Sequence, residues 1–131
     1  MSDKTERFYE QREQFDRALR KLHEVLQENE TEIVRDALIQ RFEFTFEMAW
    51  LSLYRYLSIK GVKVARQAWA VFPEAFQSLL IEDAELWEKV RDCRNLTSHT
   101  YDESKAVEVA AFVRANAIHA FDTLQEKLRT L

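Results

Sequence analysis

With one glycine and one proline in 131 residues, the chain has almost nothing from which to build tight hairpin turns. Those turns draw on glycine for positive φ and on proline for a preset bend, so their scarcity argues for long helices. One cysteine, Cys93, excludes an intrachain disulfide framework and fits a reducing cytoplasm. No run approaches the roughly 18 apolar residues of a membrane span, and no charged segment followed by an apolar one opens the chain. Cytoplasmic localisation without membrane attachment is the expectation. Excess positive charge is missing too: the net charge is −4, whereas a generic nucleic-acid binder is usually basic with clustered Lys and Arg. Any contact with RNA must therefore be local. Lys89, Arg91 and Arg94 near one another, and Arg12, Arg17, Arg20 and Lys21 near the start, are the candidates for a local positive cleft. What is present is a core: 47% of residues are hydrophobic and 12% aromatic, enough for one domain over residues 1–131.

Hydrophobic spacing organises the chain into helices. Phe8, Phe15, Leu19, Leu22 and Leu26 recur at three- and four-residue steps, an amphipathic helix over 3–28. Residues 31–60 carry a stripe of Val34, Leu38, Phe42, Ala49, Leu53 and Leu57, widened by Phe44, Phe46, Trp50 and Leu51. A helix apolar on more than one face is expected to be buried on more than one side. Gly61 is placed to end it, because only glycine enters the left-handed region without penalty. Across 62–81, Pro73 predicts a break between two short helical pieces, while Trp69, Val71, Phe72 and Phe76 call for burial. Asp83 is a candidate N-cap for a helix through Trp87 and Val90 to about Leu96. Ala106, Ala110, Val113, Ala117, Phe121, Leu124 and Leu128 define one face of a last helix over 103–129. The fold class is all-α, an antiparallel up-and-down four-helix bundle with an additional short helical connection.

The segment Arg94-Asn95-Leu96-Thr97-Ser98-His99-Thr100-Tyr101 carries the chemistry. It places a guanidinium, an imidazole and a phenol within a few residues at the end of a helix. If that helix ran on through His99, the side chains of Arg94 and His99 would sit roughly 140° apart. They approach one another only if the helix ends between them, which Leu96-Thr97-Ser98 permits because Thr and Ser compete for backbone hydrogen bonds. Arg94 would then offer a permanent, planar, multi-donor charge to a phosphate, and His99 a group that exchanges a proton near neutral pH. The plainer reading is a helix end where imidazole and phenol satisfy backbone carbonyls.

At this segment the chain resembles the HEPN superfamily, and in particular the HepT-like proteins also called nucleotidyltransferase substrate-binding proteins. Arg, a polar residue, three more residues, His, one residue and Tyr is that family's signature. Arg94 to Glu103, RNLTSHTYDE, is similar to its signature segment, Ile39 to Trp50, IQRFEFTFEMAW, to its long second helix, and the similarity extends over about residues 33–105. The chain departs from the family pattern around Gln67 to Pro73, where a more polar helix start is usual.

The resemblance implies a partnership with a separately encoded minimal nucleotidyltransferase, the arrangement of a toxin–antitoxin pair, and metal-independent RNA cleavage. In that scheme Arg94 and His99 are the catalytic residues, Asn95 is a second polar contact to substrate, and Tyr101 is the residue the partner modifies with adenylyl groups. RNA and a second copy of the chain are the other expected partners, since cleavage needs an acid and a base and one chain offers one motif His. The resemblance equally accommodates a non-catalytic subunit that presents a substrate or nucleotide to the nucleotidyltransferase.

Glu43 and Glu47 lie four apart and share a helix face. They need partners, either as plain salt bridges to neighbouring helices or as supports that orient Arg94 or His99. No cofactor and no metal site is expected: His23, His99 and His119 are scattered without paired ligand spacing, and His23 and His119 read as structural or solvated. Cys93, with no His placed beside it in sequence as a base, reads as a packing residue. Trp50, Trp69 and Trp87 read as core or subunit interface.

Overall fold

The structure, a computed structural model, describes residues 3–131. Helix α1 (Asp3–Leu26) is followed by α2 (Glu32–Ile59), α3 (Ala68–Gln77) and α4 (Ala84–Leu96). A 3-10 turn (Thr97–His99) leads into α5 (Glu103–Phe112), a π-helical turn (Val113–Ala117) and α6 (Ile118–Arg129). All the regular structure among the described residues is helical.

The starts and stops follow from local chemistry. Thr31 caps α2 by accepting from the Val34 amide at 3.1 Å, and Asp83 caps α4 by accepting from Leu86 at 3.0 Å. At the end of α2, Gly61 takes φ +75°; its amide donates to the Ser58 carbonyl and that of Val62 to Leu57. That paired set of bonds is a Schellman stop. The same stop recurs after α3, where Leu79 and Leu80 donate to Phe76 and Ala75. There the left-handed position is filled by Leu79 at φ 61°.

The helices run up and down. Lys4 donates to the Ser58 carbonyl, Gln11 meets Met48, and Arg41 donates to the Lys21 carbonyl, so α1 and α2 are antiparallel. Arg12 donates to the Leu128 carbonyl and Gln125 to Asp16, while Arg114 donates to the Leu26 carbonyl, so α1 is also antiparallel to the α5–α6 rod. Between the helices lies a closed circuit of rings: Phe42, Phe46, Phe72, Trp87 and Phe121, each 5.1–6.5 Å from the next. It ties α2, α3, α4 and α6 to one core. Within that core the hydroxyls of Thr45 and Ser52 donate back to carbonyls one turn earlier on α2, at 2.7 and 2.8 Å, so two polar residues are buried without unmet hydrogen bonds.

Three sequence expectations change. Residues 62–67 are not helical, and the connection holds one helix, α3, rather than two. Pro73 lies inside α3 without ending it, although it has no amide proton for the Trp69 carbonyl, and Trp69 itself is an exposed residue. The same exposure corrects the expected burial of the aromatics: Trp69 is 64% exposed, Phe76 is exposed, and Phe44 on α2 is 57% exposed. Trp50 and Trp87 are in the core. Finally, the last helix is not uniform, since a π turn at Val113–Ala117 divides α5 from α6. One extra residue in that turn is absorbed while Ala110, Val113, Ala117 and Phe121 all remain buried.

Candidate active site

Arg94 sits in the last turn of α4, where the helix dipole favours a cation. Trp87, Val90 and Cys93 anchor that helix to the core, and this fixes the direction in which the next side chain leaves. The guanidinium Nη1 donates to the Thr97 hydroxyl at 2.8 Å and lies 3.3 Å from Glu43 Oε2. Its Nε is 3.9 Å from Glu47 Oε1 and is buried without a hydrogen bond. The other oxygen of Glu47 accepts from the Trp50 indole at 3.0 Å. Glu43 and Glu47 are thus neither unpaired nor fully buried, and the cation they face on the neighbouring helix is Arg94 itself.

The α-helix ends at Leu96, between Arg94 and His99. Thr97 makes the transition: its hydroxyl donates to the Arg94 carbonyl at 2.6 Å, and the chain tightens into the 3-10 turn. Thr100 then donates to the Thr97 carbonyl at 3.0 Å, and Asp102 caps α5 through the Ser104 amide at 3.0 Å. These bonds hold the loop without glycine. From it His99 and Tyr101 project into solvent, with Nδ1 of His99 3.4 Å from the Tyr101 hydroxyl and the rings edge to face at 6.0 Å. Tyr101 is 86% exposed. Asn95 is also exposed. Among the described residues no hydrogen bond or ion pair joins Arg94 to His99; they share a stretch of chain, not a contact. A shallow groove of about 530 Å³, lined by Asp36, Ala37, Ile39, Gln40, Glu43 and Thr100, adjoins the loop.

Several of the basic residues named for a local positive cleft are engaged with other groups. Arg12 lies over Phe8 and Tyr9 and bonds to Leu128 near the end of α6, at the opposite end of the bundle from the loop. Arg17 pairs with Glu13, Lys89 with Glu85, and Arg91 with Asp92. Instead the loop is braced by a network that spacing did not announce. Glu30 accepts from Arg35 at 3.1 Å and Arg114 at 3.0 Å, and Arg35 also donates to Glu103 at 2.8 Å. Arg114 stands in the π turn. Its partner is 84 residues away, which no local pattern encodes.

Cys93 is buried, and desolvation first, with Glu108 second, pushes its thiol up to about 12, so it is protonated at neutral pH. His23 pairs with Asp122 at 2.6 Å, and His119 is exposed beside a groove between α4 and α6. Among the described residues no three His, Cys, Asp or Glu side chains converge as metal ligands, and no helix is long and apolar enough to cross a membrane.

Comparison with known proteins adds three findings. A family model described as nucleotidyltransferase substrate binding protein like matches residues 10–130. A Haemophilus influenzae protein named probable ribonuclease HepT is 38% identical over 87 residues, 60% of this chain and 60% of that protein. A crystal structure of a Thermus thermophilus protein matches with a TM-score of 0.71 at 32% identity, over 88% of this chain and 96% of that one.

Proposed function

The chain belongs to the family of nucleotidyltransferase substrate-binding-protein-like proteins, and on that premise we propose that it is a HepT-like, metal-independent endoribonuclease, the toxin of a pair whose other member is a minimal nucleotidyltransferase encoded nearby. The observation that carries the reading is the pairing of a held guanidinium, Arg94, with an exposed imidazole, His99, on either side of a helix end.

In the proposed reaction the ribose 2′-oxygen attacks the adjacent phosphorus as its proton passes to a base. The bond from phosphorus to the 5′-oxygen breaks, and that oxygen receives a proton. The products are a cyclic phosphate and a 5′-hydroxyl. His99 serves as acid or base, and Arg94 neutralises the charge that grows on the phosphoryl oxygens. Because base and acid are both needed, a two-fold dimer with facing loops supplies the second imidazole. Asn95 lies one residue from Arg94 and is free to contact the RNA.

The test is cleavage of single-stranded RNA in EDTA by the unmodified protein. Arg94→Ala and His99→Ala are each expected to lower the rate by about a hundredfold or more while helix content is retained. Cleavage that needs added Mg²⁺, or that survives both substitutions, is incompatible with these roles.

The second reading, a non-catalytic subunit that presents substrate to the nucleotidyltransferase, is favoured by one observation. Glu43 and Glu47 already flank Arg94, so the cluster of one cation and two carboxylates is anionic before any phosphate arrives. Absence of cleavage, together with nucleotide binding that depends on the partner, would favour it.

A further inference from the structure

The hydroxyl of Thr97 has a bonding pattern that leaves it no freedom. It has one proton, which goes to the Arg94 carbonyl at 2.6 Å, so toward the Arg94 guanidinium it can only accept, and Nη1 donates to it at 2.8 Å. The side chain that does this is 7% exposed, one of the few buried polar residues in the chain. Backbone and head group of one arginine are thereby stapled together by a single oxygen. The rest of the guanidinium is then accounted for nitrogen by nitrogen. Nη1 donates to Thr97 and lies 3.3 Å from Glu43 Oε2 as an ion pair. Nε is buried and faces Glu47 at 3.9 Å. Among the described residues Nη2 makes no hydrogen bond, and unlike Nε it is not a buried nitrogen left without one.

We propose that Thr97 is a positioning residue for Arg94, fixing the guanidinium against the end of α4 so that Nη2 is the donor presented to a phosphoryl oxygen. This rests on the reading of Arg94 as the group that stabilises phosphoryl charge. An arginine is long and flexible, and its value to a transition state depends on being in place beforehand. At a helix end, where backbone carbonyls lack partners, an unstapled Arg94 would turn to those carbonyls or to Glu43 and Glu47. The staple limits both: the Arg94 carbonyl is occupied by the hydroxyl, and Nη1 is held by Thr97 in one orientation while it stays ion-paired with Glu43. Because the staple acts on orientation and not on charge, its loss affects the transition state more than substrate binding.

The test compares Thr97→Val, which keeps shape and removes the hydroxyl, with Thr97→Ser, which keeps the hydroxyl; Thr97→Ala takes the place of valine if that variant does not fold. On a mixed-sequence single-stranded RNA oligonucleotide, Thr97→Val is expected to lower kcat about tenfold or more, with KM within about twofold. Thr97→Ser is expected to recover most of the rate. In parallel, the Nε–H resonance of Arg94, assigned by its absence in Arg94→Lys, is read by nitrogen–proton NMR. Its exchange with water is expected to speed up several-fold in Thr97→Val and to return in Thr97→Ser. Wild-type kcat in Thr97→Val overturns the proposal, as does a loss of rate that Thr97→Ser fails to rescue. If the wild-type protein cleaves no RNA, the ribonuclease reading fails on its own, and the resonance decides. An Arg94 proton unchanged by loss of the hydroxyl then overturns the positioning role, and one released by valine and restored by serine supports it.

Discussion

At Glu30, burial is the largest single influence and by itself raises the carboxyl pKa. Hydrogen bonds from Arg114 and Arg35, with the charges of both, together outweigh it and hold the group below its ordinary 4.5. A carboxylate whose folded pKa is depressed adds stability that is fully present above its unfolded value and is lost as pH falls through the folded one. Glu30→Gln is therefore expected to cost about 1–2 kcal/mol at pH 7, and the gap to wild type to shrink as pH drops below about 4.5. Urea denaturation at pH 7 and pH 3 measures it; a gap independent of pH would mean that the carboxylate's charge plays no part. Tyr101 is the opposite kind of residue, nearly free in solvent beside His99. Incubation with the cognate nucleotidyltransferase, ATP and Mg²⁺ is expected to add AMP to it, and the bulk and negative charge to block RNA cleavage. Intact mass spectrometry detects each added group, and Tyr101→Phe is expected to abolish the adduct. An adduct that persists in Tyr101→Phe would place the acceptor elsewhere.

Two helix ends of the same design differ in one residue. α2 stops at Gly61 and α3 stops at Leu79, both with positive φ and both with the same pair of capping bonds. A β-carbon in the left-handed region costs roughly 1–2 kcal/mol, and at Leu79 the side chain, 74% exposed, recovers little of that by packing. Leu79→Gly is expected to raise stability by about 0.5–1 kcal/mol, the conformational relief less the entropy glycine adds to the unfolded chain. Chemical denaturation checks it, and a loss of stability would mean that the exposed leucine contacts something its exposure does not reveal. The lesson for reading helices is symmetrical. Gly61 was legible as a stop because glycine announces one, whereas Leu79 carries no such signal. Pro73 announced a break that did not happen, and Val71, Phe72 and Ala75 around it are packed into the core.

Across the described residues, large hydrophobic side chains are exposed on several elements: Tyr9 on α1, Ile33 and Phe44 on α2, Trp69 and Phe76 on α3, Leu79 just beyond it and Val107 on α5. Phe44 lies three residues before Glu47, which faces Arg94, so the two are neighbours on the α2 surface and burial of Phe44 against a second copy would bring two motif segments toward each other. Light scattering at micromolar concentration is expected to give the mass of a dimer. A strictly monomeric protein would remove the shared acid and base.

The four long helices, the helix end between Arg94 and His99 and the polar turn that displays His99 and Tyr101 were legible in the sequence, because each depends on residues within a few positions: apolar spacing, a cap at Asp83, and the Thr and Ser that compete with the helix. The partners were not legible. For Glu43 and Glu47 the sequence left two readings open, plain salt bridges or supports for Arg94 or His99, and only the packed helices place Arg94 between them; Glu30 gave no sign of linking Arg35 to Arg114. The π turn and the left-handed Leu79 were equally hidden. All of these follow from how helices distant in sequence come to face one another, and that is decided by packing around the ring of Phe42, Phe46, Phe72, Trp87 and Phe121, where side-chain volumes and contacts across the core, not local periodicity, select the arrangement.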